Sequence, residues 1–488
     1  MKKIYTLLFA LMFVMTISKA QTGITWSPAT TVNTASSGNY HPRLAIDANN
    51  NPIVLWGHSQ RAMFSRWNGS MFTAPVMLNT AQISVSSDYW MGPQIASKGD
   101  TVYVVAKRYP EMPDTNRLFI MRSFNGGMTF SAPIEFGFIG SNTSRFPTVT
   151  IDDSGNPVVG YMKFDSTMNG NSSKWVVTKS SDYGTTFGAD VLASNWAGGV
   201  VCDCCPGTII NAGNNRVAML YRDNTTNIRD SWAGISNDGG ATFTNGYNVD
   251  GNNWNLTSCP GSGPDGVVVG DSLYSDFMNG ASGMYRAYLN KSSITNMNSV
   301  ASTLLTGNIT GLTVQNYPRM ANHGTAVAAT WIQVVNGMAQ LGLRFTSNIN
   351  NGFAALWDTV ASMNIRTADV AVGNGVVYVV WENTSDGMVH YRKGTFNPST
   401  VGIMENTGNN SFDIYPNPTN TILNIHSSAM LNVAGIISIK NVLGEEVYHG
   451  IISEMDTKID VSKFVNGLYF YEIKGAQGIS TGKFMKSN

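Results

Sequence analysis

The chain has 488 residues, with 31 basic and 31 acidic side chains and a formal net charge of zero. Only 13% of its residues are charged, against about a quarter in an average soluble protein. That balance gives no support for nucleic-acid binding or electrostatic membrane docking, so Asn, Ser, Thr and 49 glycines must supply much of the polar surface.

The chain opens MKKIYTLLFALMFVMTISKA, in which two lysines precede an apolar run from Ile4 to Ile17 and small residues precede Gln21. This is the pattern of a cleaved export signal, too short to span a bilayer comfortably. Residues 1–20 are expected to be removed. No later segment offers about eighteen consecutive apolar residues, so no transmembrane span is expected in the mature chain.

From there the chain repeats itself. IDANNNPIVLW (46–56) recurs as IDDSGNPVVGY (151–161), each a strand ending in Asp, a tight turn and a second apolar strand. Looser copies of that second strand are TVYVVAK (101–107), RVAMLYRD (216–223), DSLYSDFM (271–278), TAVAATWI (325–332) and GVVYVVWE (375–382). The seven copies recur at roughly fifty residues, the length of a four-stranded propeller blade. The fold class is therefore all-β.

Three turns share a second pattern: SFNGGMTF (123–130), SSDYGTTF (180–187) and SNDGGATF (236–243). Asp182 or Asp238 can accept from turn amides, and Gly127, Gly184 or Gly240 can take positive φ. Ser123, Ser180 and Ser236 open the motif, and Phe130, Phe187 and Phe243 can pin each hairpin to its blade. These turns resemble the Asp-box (BNR) repeats of the sialidase-like β-propeller superfamily. That resemblance implies a structural role, away from the binding face. The domain is read as residues 21–397 with seven blades. Six is the alternative count, because sialidases of the superfamily usually have six and the later repeats are degenerate. TWSPATTVN (25–33) resembles the outer strand that follows each box, whereas the last copy lacks one. The N-terminal strand is expected to complete the final blade and abolish the open edge.

All four cysteines fall in two short segments, CDCCP (202–206) and SCPG (258–261). The repeat register puts Cys204 and Cys205 just before the inner strand of blade 4, and Cys259 just before that of blade 5. Export through an oxidising compartment and an even count favour disulfides. Adjacent cysteines point apart, so Cys259 is expected to bond to Cys204 or to Cys205, stapling the two blades near the funnel mouth. The alternatives are a Cu(I) or zinc site built from Cys202, Cys204, Cys205 and Cys259, and a redox centre. No other cofactor is expected.

The sialidase resemblance implies three arginines clamping a carboxylate, a tyrosine nucleophile activated by glutamate, and an aspartic acid. Arg222, Arg229, Arg286, Arg319 and Arg344 are available, but the family's early Arg-Ile-Pro signature is missing: the first repeat reads HPRLAI. Between signal and linker the only glutamates are Glu111, Glu135 and Glu382. Arg222, Arg229 and Glu382 are the catalytic candidates, Arg286 and Arg319 the ligand-binding ones, and no Tyr–Glu pair can be assembled. Asp230 is expected to pair with Arg222 or Arg229. The leading expectation is a glycan- or protein-binding module. A sialidase-type glycoside hydrolase is the runner-up, and a metal-binding or redox propeller the third reading.

Residues 398–410 read as a polar linker. Beyond it, Tyr415-Pro416-Asn417-Pro418, Leu423, IKNVLGEEV (439–447), IDVS (459–462), GLYFYEI (467–473) and KFMK (483–486) occur in order. Residues 411–488 resemble the type A C-terminal sorting domain of type IX secretion, found in Bacteroidota. That resemblance implies a small β-sandwich, contact with the secretion machinery, and release or cell-surface attachment with loss of the tail.

Overall fold

The computed structural model describes residues 22–32, 37–111, 117–137, 142–165, 172–196, 198–299, 301–398, 412–427, 435–475 and 478–487. The expected export signal, and the linker beyond Pro398, lie outside them. The chain divides into two compact units, Met1–Ser399 and Thr400–Asn488.

The first unit is a seven-bladed β-propeller, each blade an antiparallel sheet of four strands or, where the outer strand is broken in two, five. The inner strands are Asn39–Ile46, Gln94–Lys98, Asn142–Ile151, Thr208–Gly213, Asp265–Val269, Leu312–His323 and Ile365–Gly373. Each meets the inner strands of its two neighbours, and the seventh meets the first, so the ring is closed. The outer strand of blade 7 comes from the N-terminal segment, where Thr25 and Trp26 pair with Thr395 and Gly394 and Thr30 pairs with Tyr391.

Stability resides between the blades. In the second strand of blade 2, Val102, Val104 and Ala106 pack against blade 1 with Ile53, Leu55 and Phe64. The alternate residues Tyr103 and Val105 pack against blade 3 with Val159 and Tyr161. This is the period-2 alternation of a strand buried on both faces, and each such side chain contributes about 1.5–3 kcal/mol relative to exposure. The same arrangement recurs at the other five junctions. Between blades 6 and 7, fully buried Ile24, just before the closing strand, joins the core.

The quoted turns join third to fourth strands in blades 2, 3 and 4. In each, the buried serine hydroxyl accepts from the glycine amide: Gly127 to Ser123 at 2.9 Å, Gly184 to Ser180 and Gly240 to Ser236 at 2.7 Å. Asp182 also accepts from the amides of Thr185 and Thr186. Gly184 has φ +80°, a conformation that excludes most side chains. Phe130 meets Phe64 edge-on, Phe187 stacks on Phe136, and Phe243 packs on the core between blades 3 and 4. These turns lie at the end of the propeller where inner strands finish.

The second unit is a two-sheet sandwich. Phe412–Tyr415, Ile422–Ser427 and Asp456–Asp460 form one sheet, and four further strands the other. Leu423, Ile425, Ile437, Ile459 and Phe484 form the core between them.

Candidate functional site

A proline occupies one register of the inner strand, or immediately precedes that strand, in five of the seven blades: Pro42, Pro93, Pro147, Pro264 and Pro318, with Gly207 in the fourth and Ala368 in the seventh. In blades 1, 3, 6 and 7 the register slips beside it. His41, Phe146 and Tyr317, immediately before the proline, adopt φ of 55°, 50° and 50°. An extra residue of this kind bends a strand and re-aims its side chains. Arg43, Gln94, Asp265, Arg319 and Asp369 follow the proline register in their blades and line the channel.

Those residues build a polar layer that closes the channel midway. Arg319 Nε lies 3.0 Å from Asp369 and 3.4 Å from Asp265. Burial would lower Arg319, but Asp265, Asp369 and Asp276 outweigh it and raise the group above its usual range. Arg43 Nε donates to Gln94 at 2.9 Å, and Arg43 Nη2 and Gln94 Nε2 both reach His41 Nε2, at 2.5 and 2.9 Å. With that nitrogen accepting, the proton sits on Nδ1 and faces Tyr89 O at 3.3 Å. Burial, then Arg43, holds His41 well below its ordinary value, so it is neutral. Asp276 is buried beside Asp265 with neither carboxylate oxygen bonded. Burial first, then Asp265, pushes it well up.

A cavity lies on each side of the layer. The wider, about 970 Å³, runs from Arg43, Asp265, Arg319 and Asp369 to Asn49, Asn50 and Asn322 at the hairpin end. The other is a cup of about 70 Å³ at the proline end, lined by Tyr89, Trp90, Tyr317, Arg319 and the backbone of 206–207 and 261–263. We take the smaller as the candidate site, because it brings together the exposed Tyr89, the Arg319 charge and the loops that carry the cysteines. Tyr89 is 52% exposed, with the Arg366 guanidinium 5.3 Å from the centre of its ring. Arg366 also lies 3.5 Å from Glu382, which accepts from Thr367 at 3.1 Å. Burial pushes the Glu382 carboxyl up, partly offset by Arg366. Trp90 meets Phe146 edge-on and lies under Arg145, which chelates Glu111 at 2.7–3.1 Å and donates to Asp203 O of the cysteine loop at 3.0 Å.

The cysteine loops form one wall. Cys204 is disulfide-bonded to Cys259, whereas Cys202 and Cys205 are buried free thiols with sulfurs 2.8 Å apart. Gly263 lies so close to the Pro206 carbonyl that a Cβ there would sit 1.7 Å from the oxygen. The two loops therefore touch backbone to backbone.

The arginines singled out from sequence are mostly committed elsewhere. Arg222 is fully buried and donates to the carbonyls of Ser262, Arg229 and Met278. Arg229 donates to Leu256 O, Arg286 to Gln315, Thr306 O and Gly307 O, and Arg344 to Leu305 O and Ala354 O. Of the ligand-binding pair only Arg319 reaches the cup. Asp230 differs from expectation. Its carboxylate accepts from Asn248 and from the amides of Asn253 and Trp254, not from an arginine. The loop amides reach it first. Sequence reading missed Arg43, Gln94, Asp265, Asp369 and Arg366 as a set, although the proline in register would have aligned the first three.

Nearby, burial and then Asp230 push Asp250 up to about 6, with Arg222 and Asn279 opposing. A carboxyl raised on folding gives stability that is present below its unfolded value and lost as pH rises through about 6. Asp250→Asn is therefore expected to be more stable than the parent by about 2–3 kcal/mol above pH 6.5 and near parity at pH 4. Melting curves at the two pH values check this; an equal shift at both would count against it.

Residues 413–487 match the family model of the secretion system C-terminal sorting domain. No curated protein matches the chain by sequence. Among solved structures, the chain is similar to a protein of unknown function from Dyadobacter fermentans, at 12% identity and a TM-score of 0.45, covering 64% of this chain and 95% of that one. It is similar to the Hadza microbial sialidase Hz136 at 15% identity and a TM-score of 0.42, covering 62% and 65%. It is also similar to the GH93 α-L-arabinofuranosidase of Fusarium graminearum, at 10% identity and a TM-score of 0.46, covering 67% and 99%. None of these bears on this chain's chemistry at such distance. Among the described residues no helix is long and apolar enough to cross a membrane. The chain carries a secretion system C-terminal sorting domain behind a seven-bladed propeller, and it is cargo that this system delivers to the cell surface or beyond.

Proposed function

We propose that the exported propeller is a glycan-binding module that seats its ligand across the cup at the proline end of the channel. The observation that carries this reading is the exposed Tyr89 ring held against Arg366 at the rim. An aromatic face offers apolar area at low entropic cost, and a guanidinium offers fixed donors to hydroxyl or carboxylate oxygens. The cup is too shallow to swallow a sugar ring, so a chain would lie over the rim with one substituent pointing inward. The charged layer beneath is already paired, so it serves as a rigid floor.

A sialidase-type hydrolase is the competing reading, favoured by the raised Glu382 carboxyl beside Arg366. Against it, Arg222 and Arg229 are engaged by main-chain carbonyls. Binding to immobilised glycans beside turnover of fluorogenic glycosides separates the two. We expect binding without turnover, and a loss of about tenfold or more in affinity for Tyr89→Ala, equivalent to about 1.4 kcal/mol. Phe124→Ala, an equally exposed ring at the other end, should leave binding unchanged. Binding indifferent to Tyr89 would refute the seat, and sialoside cleavage abolished by Glu382→Gln would establish the hydrolase.

A further inference from the structure

The cysteine wall is absorbed by neither reading, and its geometry is that of an exchange reaction. All four sulfurs lie within 4.8 Å of one another. The disulfided pair is the outer one: Cys259 is exposed and Cys204 half-buried, whereas Cys202 and Cys205 are buried. Cys202 Sγ stands 3.3 Å from Cys204 Sγ and 2.8 Å from Cys205 Sγ, so it is in contact with both a disulfide sulfur and a second thiol. The Cys205 amide donates to the Cys202 carbonyl at 3.3 Å, folding Cys202-Asp203-Cys204-Cys205 into a turn that holds the three sulfurs together.

We infer that the four cysteines form a thiol–disulfide exchange centre, in which one disulfide migrates between the outer pair Cys204–Cys259 and the inner pair Cys202–Cys205. In the first step the Cys202 thiolate attacks Cys204 Sγ. The Cys202–Cys204 bond forms, the Cys204–Cys259 bond breaks, and the electron pair leaves on Cys259, which faces solvent. In the second step Cys205 attacks Cys202 Sγ, forming Cys202–Cys205 and breaking Cys202–Cys204; Cys204 leaves with the electron pair and takes the Cys205 proton. One disulfide and two sulfhydryl groups stand on each side, so no outside oxidant or reductant is consumed.

The electrostatics suit these roles. The Cys205 thiol donating to it, with Arg229 and Arg222 nearby, draws Cys202 down to about 7 against the opposing effect of burial. Burial, then the Cys202 contact, pushes Cys205 well up. The nucleophile is thus about half thiolate at neutral pH and mostly thiolate at pH 8, while its resolving partner keeps its proton. Migration unties the loop before blade 5 from the loop before blade 4 and presents Cys259 as a surface thiol. It would react with thiols or disulfides small or mobile enough to reach the rim. The inference goes beyond glycan binding and stands or falls separately from it.

The test is differential alkylation of the full chain at pH 8 without reductant, followed by non-reducing peptide mapping. The parent should yield both Cys204–Cys259 and Cys202–Cys205 links, with Cys259 alkylation growing over time. Cys205→Ser cannot complete the second step and should accumulate Cys202–Cys204 with alkylated Cys259. Cys202→Ser should lock Cys204–Cys259 and leave Cys259 unalkylated. A parent that holds only Cys204–Cys259 indefinitely would overturn the proposal. So would a Cys205→Ser map identical to that of Cys202→Ser, or four free thiols with an equivalent of zinc or copper bound. The parent needs no substitution, so misfolding of a variant leaves the proposal falsifiable.

Discussion

Arg319→Met is expected to destabilise the propeller by about 3–5 kcal/mol, the cost of leaving buried charges without their partner. Arg319 lies between Asp265 and Asp369, at 3.4 and 3.0 Å, and both carboxylates are buried. Neither acid can swing to water, because each is also tied to a neighbouring inner strand. Asp369 accepts from the Leu44 amide at 2.8 Å, and Asp265 from the Met320 amide at 2.9 Å. The layer thus links blades 5, 6, 7 and 1 across the axis, and removing its central charge strains several junctions together. Arg319→Lys should recover part of the loss, since it restores the charge without the planar fork. Urea unfolding of the three proteins at pH 7.5 makes the measurement. A methionine variant within about 1 kcal/mol of the parent would show that the acids relax or protonate at little cost, and that the layer is not a fixed floor.

How far this layer could be read beforehand depends on what carries it. Blade number and closure were legible because they rest on repetition of local pattern: seven apolar second strands, and an N-terminal segment resembling the missing outer strand. The structure places Thr25–Thr31 in that position. The sorting domain was legible for a similar reason, as an ordered series of short motifs. The channel layer was not. Arg43, Gln94, Asp265, Arg319 and Asp369 lie far apart in sequence, and a lone Arg or Asp after a proline carries no signal by itself. Only superposing the blades on the proline register puts them on one ring. Reading the arginines against a sialidase clamp also drew attention to Arg222 and Arg229, which are engaged by main-chain carbonyls. The cysteines fell between these cases. Register gave their neighbourhood, and the alternation of side chains limited Cys259 to one of two partners. That Cys204 takes the bond depends on the turn at 202–205, which composition does not dictate.

Removing the outer disulfide supplies the second large effect. The Cys204–Cys259 bond closes a segment of 55 residues, for which the chain-entropy model gives about 4 kcal/mol of stabilisation, mostly by restricting the unfolded chain. The enclosed segment contains nearly the whole of blade 4, so the staple fixes that blade's entry loop against the entry of blade 5. In the folded state the two loops already touch through Gly263 and the Pro206 carbonyl, so the bond has little native geometry to impose and its contribution should approach the entropic figure. The double substitution Cys204→Ser/Cys259→Ser is expected to lower the unfolding free energy by about 3–4 kcal/mol, read from the midpoint in urea. Treating the parent with reductant should reproduce most of the shift. Cys202→Ser/Cys205→Ser tests the inner pair: two buried sulfurs become hydroxyls, a local packing change with a far shorter loop, and a smaller loss is expected. If the inner substitution cost as much as the outer, or reductant left the parent's midpoint unmoved, the staple would not be what holds blade 4 to blade 5. Their adhesion would then rest on the apolar junction formed by Leu220, Ala233, Leu273 and Phe277.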